Sequence, residues 1–174
     1  MALALFPTAF GTCGLSWDEG RLSGFQLPGP TEEHTLGRLA QRGGDVVAER
    51  EAPEWVRAVV ARVRRHFEGD LQDFSDAPLD WKRVSEFQRA VYLQAQAVRP
   101  GFKTSYGDIA KAIALGPESA RAVGVALATN PWPLLVPCHR VVSANDRMTG
   151  FSAPGGILTK TRLLALEGAE LLSE

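Results

Sequence analysis

Apolar positions alternate early in the chain and recur at helical spacing later. Residues 13–17 and 21–27 are two short, partly alternating runs joined by Asp18-Glu19-Gly20, which predicts a β-hairpin. Thr31, followed by Glu32 and Glu33, marks the start of a helix running through Leu39. Val46-Val47-Ala48 reads as a strand. Val56, Val59, Val60, Val63 and Phe67 recur at three and four and predict a helix over 53–67. Arg57, Arg62, Arg64 and Arg65 of that segment read as its solvated face.

The stretch 69–80 is polar and interrupted by Pro78, as expected of a linker. Helical spacing resumes at Ser85 with Phe87, Val91, Leu93 and Val98, and stops before Pro100-Gly101. Two short helices follow. Thr104 or Ser105 caps the first, with Asp108 in its first turn, and it reaches about Ala114. Gly116-Pro117 opens the second, with the proline at the first helical position. The second ends near Asn130, because a residue before proline disfavours the α conformation. Helix, short turn, helix is the outline of a helix-turn-helix. The pattern divides the chain into an α/β domain over 1–78, ending in the linker, and a helical domain over 79–174.

With 174 residues, 45% of them apolar, the chain has the material for a folded core. Its two cysteines, Cys13 and Cys138, exclude a four-cysteine zinc site and a disulfide framework, which fits a reducing compartment such as the cytoplasm. The opening run to Phe6 lacks a basic residue and does not read as a signal peptide. No stretch is apolar for long enough to span a bilayer. The net charge of −1 conceals an asymmetry. Residues 1–81 carry 8 basic against 13 acidic side chains, and residues 82–174 carry 11 against 7. The basic C-terminal part permits a polyanionic partner, although ordinary fluctuation of charge along a chain produces the same split.

The candidate chemistry lies in Asn130-Pro-Trp-Pro-Leu-Leu-Val-Pro-Cys-His-Arg-Val-Val142. Prolines stiffen this segment, and Cys138 stands beside His139. A thiol is a strong nucleophile only as thiolate, and a neighbouring base makes that form accessible. An inert buried cysteine is the competing reading. Upstream, Ala120, Ala122, Gly124 and Ala128 give the second short helix a low face from which Arg121 projects. Close helix packing and insertion into a stack of bases both suit such a face.

The longer string resembles the active-site signature of the O6-alkylguanine-DNA alkyltransferases, the methylated-DNA–protein-cysteine methyltransferase family. The resemblance extends from Phe87 to Gly168 and includes Thr104-Ser-Tyr-Gly-Asp-Ile-Ala110, Ala120-Arg-Ala-Val-Gly124 and Leu163-Leu-Ala-Leu-Glu-Gly168. It is looser in the N-terminal half, through Gly14-Leu-Ser-Trp-Asp and Phe25-Gln-Leu-Pro28. It implies an α+β protein with a ribonuclease-H-like N-terminal domain and a winged helix-turn-helix C-terminal domain. It implies a single-turnover transfer of the alkyl group from O6-alkylguanine in duplex DNA to Cys138; whether O4-alkylthymine is also accepted stays open.

In that reading His139 takes the thiol proton through a bridging water, and Glu167 orients the imidazole. Asn130 ties the helix-turn-helix to the active-site loop. Tyr106 presses on the extruded nucleotide and donates toward guanine N3. Arg121 fills the gap left in the stack. Ala120, Ala122, Gly124, Ser105 and Arg140 complete the DNA surface, entered through the minor groove. Pro133, Val141, Ser152 and Gly155 form the base pocket, with O6 contacted by Ser152 or by a backbone amide near Gly155. No metal or organic cofactor is called for: Cys13, His34 and His66 match no ligand spacing. The expected partner is double-stranded DNA, with no membrane, and the expected state is a monomer. The alternative is a non-catalytic sensor that binds alkylated DNA. A fused regulator and a cysteine hydrolase are further possibilities, the first disfavoured by the cysteine count.

Overall fold

The computed structural model describes residues 1–144 and 151–169. Strands β1 (Ala2–Thr8), β2 (Gly11–Asp18) and β3 (Arg21–Gln26) form an antiparallel meander. The hairpin between β2 and β3 turns at Glu19-Gly20, where both residues have positive φ, so the expected turn is present. The apolar opening run, read only as a chain start, is a full strand at the middle of the sheet. Its short length and the proline at position 7 hid it from a pattern search. A short β4 (Asp45–Val46) adds in parallel on the other side of β1, giving the order β3-β2-β1-β4. It starts one residue earlier than expected and stops sooner. Ala48 is already capping the next turn, its N–H donating to Glu51 at 3.2 Å.

Helices α1 (Glu32–Ala40) and α2 (Glu54–Phe67) complete the N-terminal half. Thr31 caps α1 by accepting the His34 N–H at 3.1 Å, and two glutamates occupy its first turn, where the helix dipole favours negative charge. The valine stripe of α2 is buried as the spacing required. Its arginines are solvated only in part: Arg64 donates to Glu49 at 2.8 Å and to the Pro7 carbonyl at 2.9 Å.

Residues 69–80 are not a free tether. Phe74 and Leu79 are buried, the Leu22 N–H donates to the Pro78 carbonyl at 2.7 Å, and the Asp80 N–H donates to the Leu22 carbonyl at 2.9 Å. The segment therefore runs along β3, and one continuous apolar core reaches from Ala4 to Leu163.

The C-terminal half is mainly helical. Helix α3 (Glu86–Gln96) starts with a reciprocal capping box between Ser85 and Gln88. A two-residue strand β5 (Thr104–Ser105) leads into α4 (Tyr106–Ala112), and Ser105, rather than Thr104, provides the cap. Residues 117–119 form a tight 3-10 turn before α5 (Ala120–Ala128), so Pro117 opens that turn and not the helix itself. Strand β6 (Val141–Val142) pairs in parallel with β5, and α6 (Gly156–Leu166) closes the structure. Trp132 joins the halves: its indole N–H donates to the Leu22 carbonyl at 2.9 Å, and its ring meets Trp81 and Tyr92 edge-on. Among the described residues, no helix is long and apolar enough to cross a membrane.

Candidate active site

The segment from Asn130 to Arg140 is held at both ends and underneath. The Asn130 amide donates to the Val136 carbonyl at 2.9 Å, and its oxygen accepts the Trp132 N–H at 2.9 Å. Asn130 thus joins the end of α5 to the cysteine loop. The Val136 N–H closes a turn onto the Trp132 carbonyl at 2.8 Å. Leu134 within that turn has φ of 77°, a strained region for a branched residue, and its burial holds it there. Cys138 then opens a short 3-10 turn over Cys138–Arg140.

Cys138 is 5% exposed. Burial pushes its thiol above the ordinary cysteine value, while a hydrogen bond with Asn130 and the positive field of Lys160 pull the other way. The resting group is therefore the thiol, and a base must remove its proton.

His139, next in the chain, is the candidate for that base. Its Nε2 lies 2.9 Å from Glu167 Oε1. Burial opposes the ionised form of Glu167, but hydrogen bonds from Arg140, His139 and His66 outweigh it and hold this carboxyl well below the usual range. An ionised carboxylate only accepts, so His139 carries its proton on Nε2 and keeps the lone pair on Nδ1. That Nδ1 is buried with no hydrogen-bond partner among the described residues. Burial also lowers the imidazole's own pKa, in part against the pull of Glu167, which keeps it neutral and ready to accept.

Glu167 is fully engaged. Oε1 accepts from His139 and from Arg140 Nε, both at 2.9 Å, and Oε2 accepts from Arg140 Nη2 at 2.7 Å and from His66 Nε2 at 2.9 Å. The remaining Arg140 nitrogen, Nη1, donates to the Val98 carbonyl at 2.7 Å. Arg140 is 4% exposed. The expectation that it touches DNA is therefore wrong: a buried carboxylate needs a bidentate cation, and Arg140 is that cation.

A cleft of about 210 Å³ opens beside Cys138, bordered by Asn130, Pro133 and Ser152 together with Phe25, Arg38 and Arg42. Pro133 and Ser152, both expected in a base pocket, border this cleft together with Cys138. Val141 and Gly155 do not border it. Val141 is buried in β6 with its carbonyl accepting from Lys160 Nζ at 2.7 Å, and Gly155 lies in a separate cleft with Phe10, Thr12 and Arg162.

On α5, Arg121 and Ala122 are exposed and Ala120 is partly so. Val125, which the sequence reading passed over, is 60% exposed on the same helix and lines a shallow groove with Arg121 and Ala122. Gly124 faces inward instead: a Cβ there would meet the Tyr106 ring at 3.8 Å, so this glycine belongs to the packing of α4 on α5. Ser105 is occupied as the α4 cap.

Two buried polar residues near the site had no role in the sequence reading, where His66 was weighed only as a metal ligand. Lys160 lies beneath the site, its pKa lowered to about 8 by burial and partly restored by Cys138. Its signal was a lysine three residues before Leu163 on the inward face of α6. His66 completes the Glu167 cluster. It follows Val63 by three residues, so it interrupts an otherwise apolar stripe. Among the described residues, no group of three or more His, Cys, Asp and Glu side chains is arranged to hold a metal ion.

A thiol beside a buried, carboxylate-oriented imidazole, near an exposed arginine-bearing helix, defines a cysteine-nucleophile protein with a surface for an anionic polymer. Comparison with known proteins gives the same class a family. Residues 86–169 match the model for the 6-O-methylguanine DNA methyltransferase DNA-binding domain. A methylated-DNA–protein-cysteine methyltransferase of Mycolicibacterium paratuberculosis is 44% identical over 117 residues, 67% of this chain and 68% of that protein. A DNA base-flipping protein of Thermus thermophilus is 40% identical over 67% of this chain and 79% of its own length. The crystal structure of Mycobacterium tuberculosis OGT in complex with DNA superposes with a TM-score of 0.76 at 29% identity, covering 97% of this chain and 93% of that one. The chain belongs to the methylated-DNA–protein-cysteine methyltransferase family.

Proposed function

We propose that this protein repairs DNA by moving the alkyl group of O6-alkylguanine irreversibly onto Cys138. The observation that carries the residue assignment is the Cys138-His139-Glu167 constellation: a buried thiol at a cleft, with a neutral imidazole whose Nδ1 lone pair is unused. The thiol proton passes toward His139 Nδ1, and the sulfur attacks the alkyl carbon. The S–C bond forms as the C–O6 bond breaks, the electron pair stays on O6, and the proton taken up by His139 is passed on through solvent, balancing the one that guanine gains at N1. The thioether is stable and, among the described residues, no side chain is placed to cleave it, so each molecule acts once.

The alkyl group lies inside the duplex, so its nucleotide must be turned out, at a cost of a few kcal/mol that is lower for a badly paired base. Arg121, Ala122 and Val125 form the low exposed face that supports entry into a minor groove, with Arg121 filling the gap. Tyr106 at the start of α4 donates toward guanine N3. The α4–α5 pair reads as a helix-turn-helix, completed as a winged unit, and the strand order β3-β2-β1-β4 supports a ribonuclease-H-like N-terminal half. The domain division at 78/79 is retained with both halves sharing one core. The protein acts as a monomer in the cytoplasm.

A binding-only sensor has no need of a nucleophile in the cleft. Excess duplex containing O6-methylguanine, incubated with a known amount of protein, separates the readings. Restored guanine equal to the amount of protein supports transfer. Binding with no restored guanine favours the sensor, and restored guanine in large excess favours a hydrolase.

A further inference from the structure

The geometry points to His66, on the last turn of α2, as a positioning residue of the Cys138-His139-Glu167 relay, supplied by the half of the molecule that lacks the nucleophile. The backbone N–H of Gln72 donates to His66 Nδ1 at 3.0 Å. That nitrogen is therefore an acceptor, and the proton sits on Nε2, which donates to Glu167 Oε2 at 2.9 Å. The ring is fully buried and wedged between Phe67 and Phe74. Its tautomer and orientation are fixed from three sides before any substrate arrives.

This arrangement has two consequences. With Oε2 taken by His66 and one arm of Arg140, Glu167 cannot rotate to offer His139 a second oxygen, so the imidazole has a single seat. Each donor also draws on the negative charge that His139 would otherwise feel, and His66 accordingly acts to lower the basicity of His139. Among the described residues, the other charged groups that act on the cluster are Arg140, bonded to Glu167 and also felt by Asp73, and Lys160 of α6, whose positive field reaches Cys138. None of them replaces a donor lost from Oε2.

The inference rests on the alkyl-transfer reading, and its test is arranged to fail separately. Single-turnover transfer from an O6-methylguanine duplex is followed between pH 5.5 and 8.5 for the wild type, His66→Phe and His66→Gln, with duplex affinity measured alongside. Transfer requires neutral His139, so its rate falls on the acid side. His66→Phe is expected to move that acid limb upward by roughly one pH unit, the size a single hydrogen bond to a charged group supports. Duplex affinity is expected to stay within about twofold. His66→Gln, which keeps a donor, is expected to hold the wild-type limb. Identical limbs for the wild type and His66→Phe overturn the inference, whatever the change in melting temperature. Histidine nitrogen NMR on the unmodified protein provides an arm that needs neither transfer nor a variant. A proton on His66 Nε2 is expected, and a proton on Nδ1 overturns the inference.

Discussion

At the scale of single residues, the site is a competition between burial and hydrogen bonding. Burial opposes charge on Cys138, His139 and Glu167 alike, but only Glu167 has donors enough to overcome it. The Glu167 anion is thus fixed under the site, paired with the Arg140 cation, while thiol and imidazole rest neutral with a proton to exchange. Glu167→Gln removes that charge with little change in shape and leaves Arg140 as an unpaired buried cation. We expect a stability loss of about 3 kcal/mol or more and a far larger fall in transfer rate than in duplex affinity. Chemical denaturation and single-turnover kinetics measure these, and equal losses of rate and affinity would argue against Glu167 as the orienting group. Cys138, His139 and Glu167 were legible in the sequence because they stand in one short string and one closing motif. Arg140 was misread for the same reason: adjacency to the nucleophile suggested DNA, and only the fold shows its guanidinium turned to Glu167 and Val98.

At the scale of elements, α5 has one exposed face, the one proposed to meet DNA, and another packed on α4. Spacing revealed the small residues but not which way each points. Gly124 looks at Tyr106, while Ala122 and Val125 look outward beside Arg121. The outward pair therefore sets how closely a duplex can approach. Ala122→Leu is expected to leave stability within about 0.5 kcal/mol, as for other exposed positions. It should weaken duplex binding by roughly tenfold, or about 1.4 kcal/mol, because the added side chain stands between helix and groove. Thermal melts and fluorescence titration decide this, and unchanged affinity would remove α5 from the interface. Helices α1 and α3 were legible through their caps and apolar spacing, and α2 through its valine stripe. Strand β1 was not, because a proline within seven residues masks it and only pairing with β2 makes it a strand.

At the scale of the whole molecule, the N-terminal half supports the acceptor site directly. His66 reaches Glu167, the Leu22 carbonyl receives the Trp132 indole, and Phe25, Arg38 and Arg42 border the cleft. Contacts between distant residues, such as those of Pro78 and Asp80 with Leu22, leave no trace in local spacing, which is why 69–80 looked like a linker. This shared cluster makes stability pH-dependent in a definite direction. His139 and Glu167 both have folded pKa values below their ordinary 6.5 and 4.5, so their contributions are present above those values. Both are lost as pH falls: the histidine's from about 6.5 downward, the carboxylate's from about 4.5 downward. Melting temperature should therefore drop in two stages on acidification, and a flat profile from pH 7 to 4 would contradict the buried cluster. The most direct test of the account is the mass of the protein after incubation with a duplex containing O6-methylguanine, mapped to peptides. The account predicts one added methyl group per molecule, on Cys138 alone, and none in Cys138→Ala. An unchanged mass with the duplex bound, or a methyl group on any other residue, would contradict it.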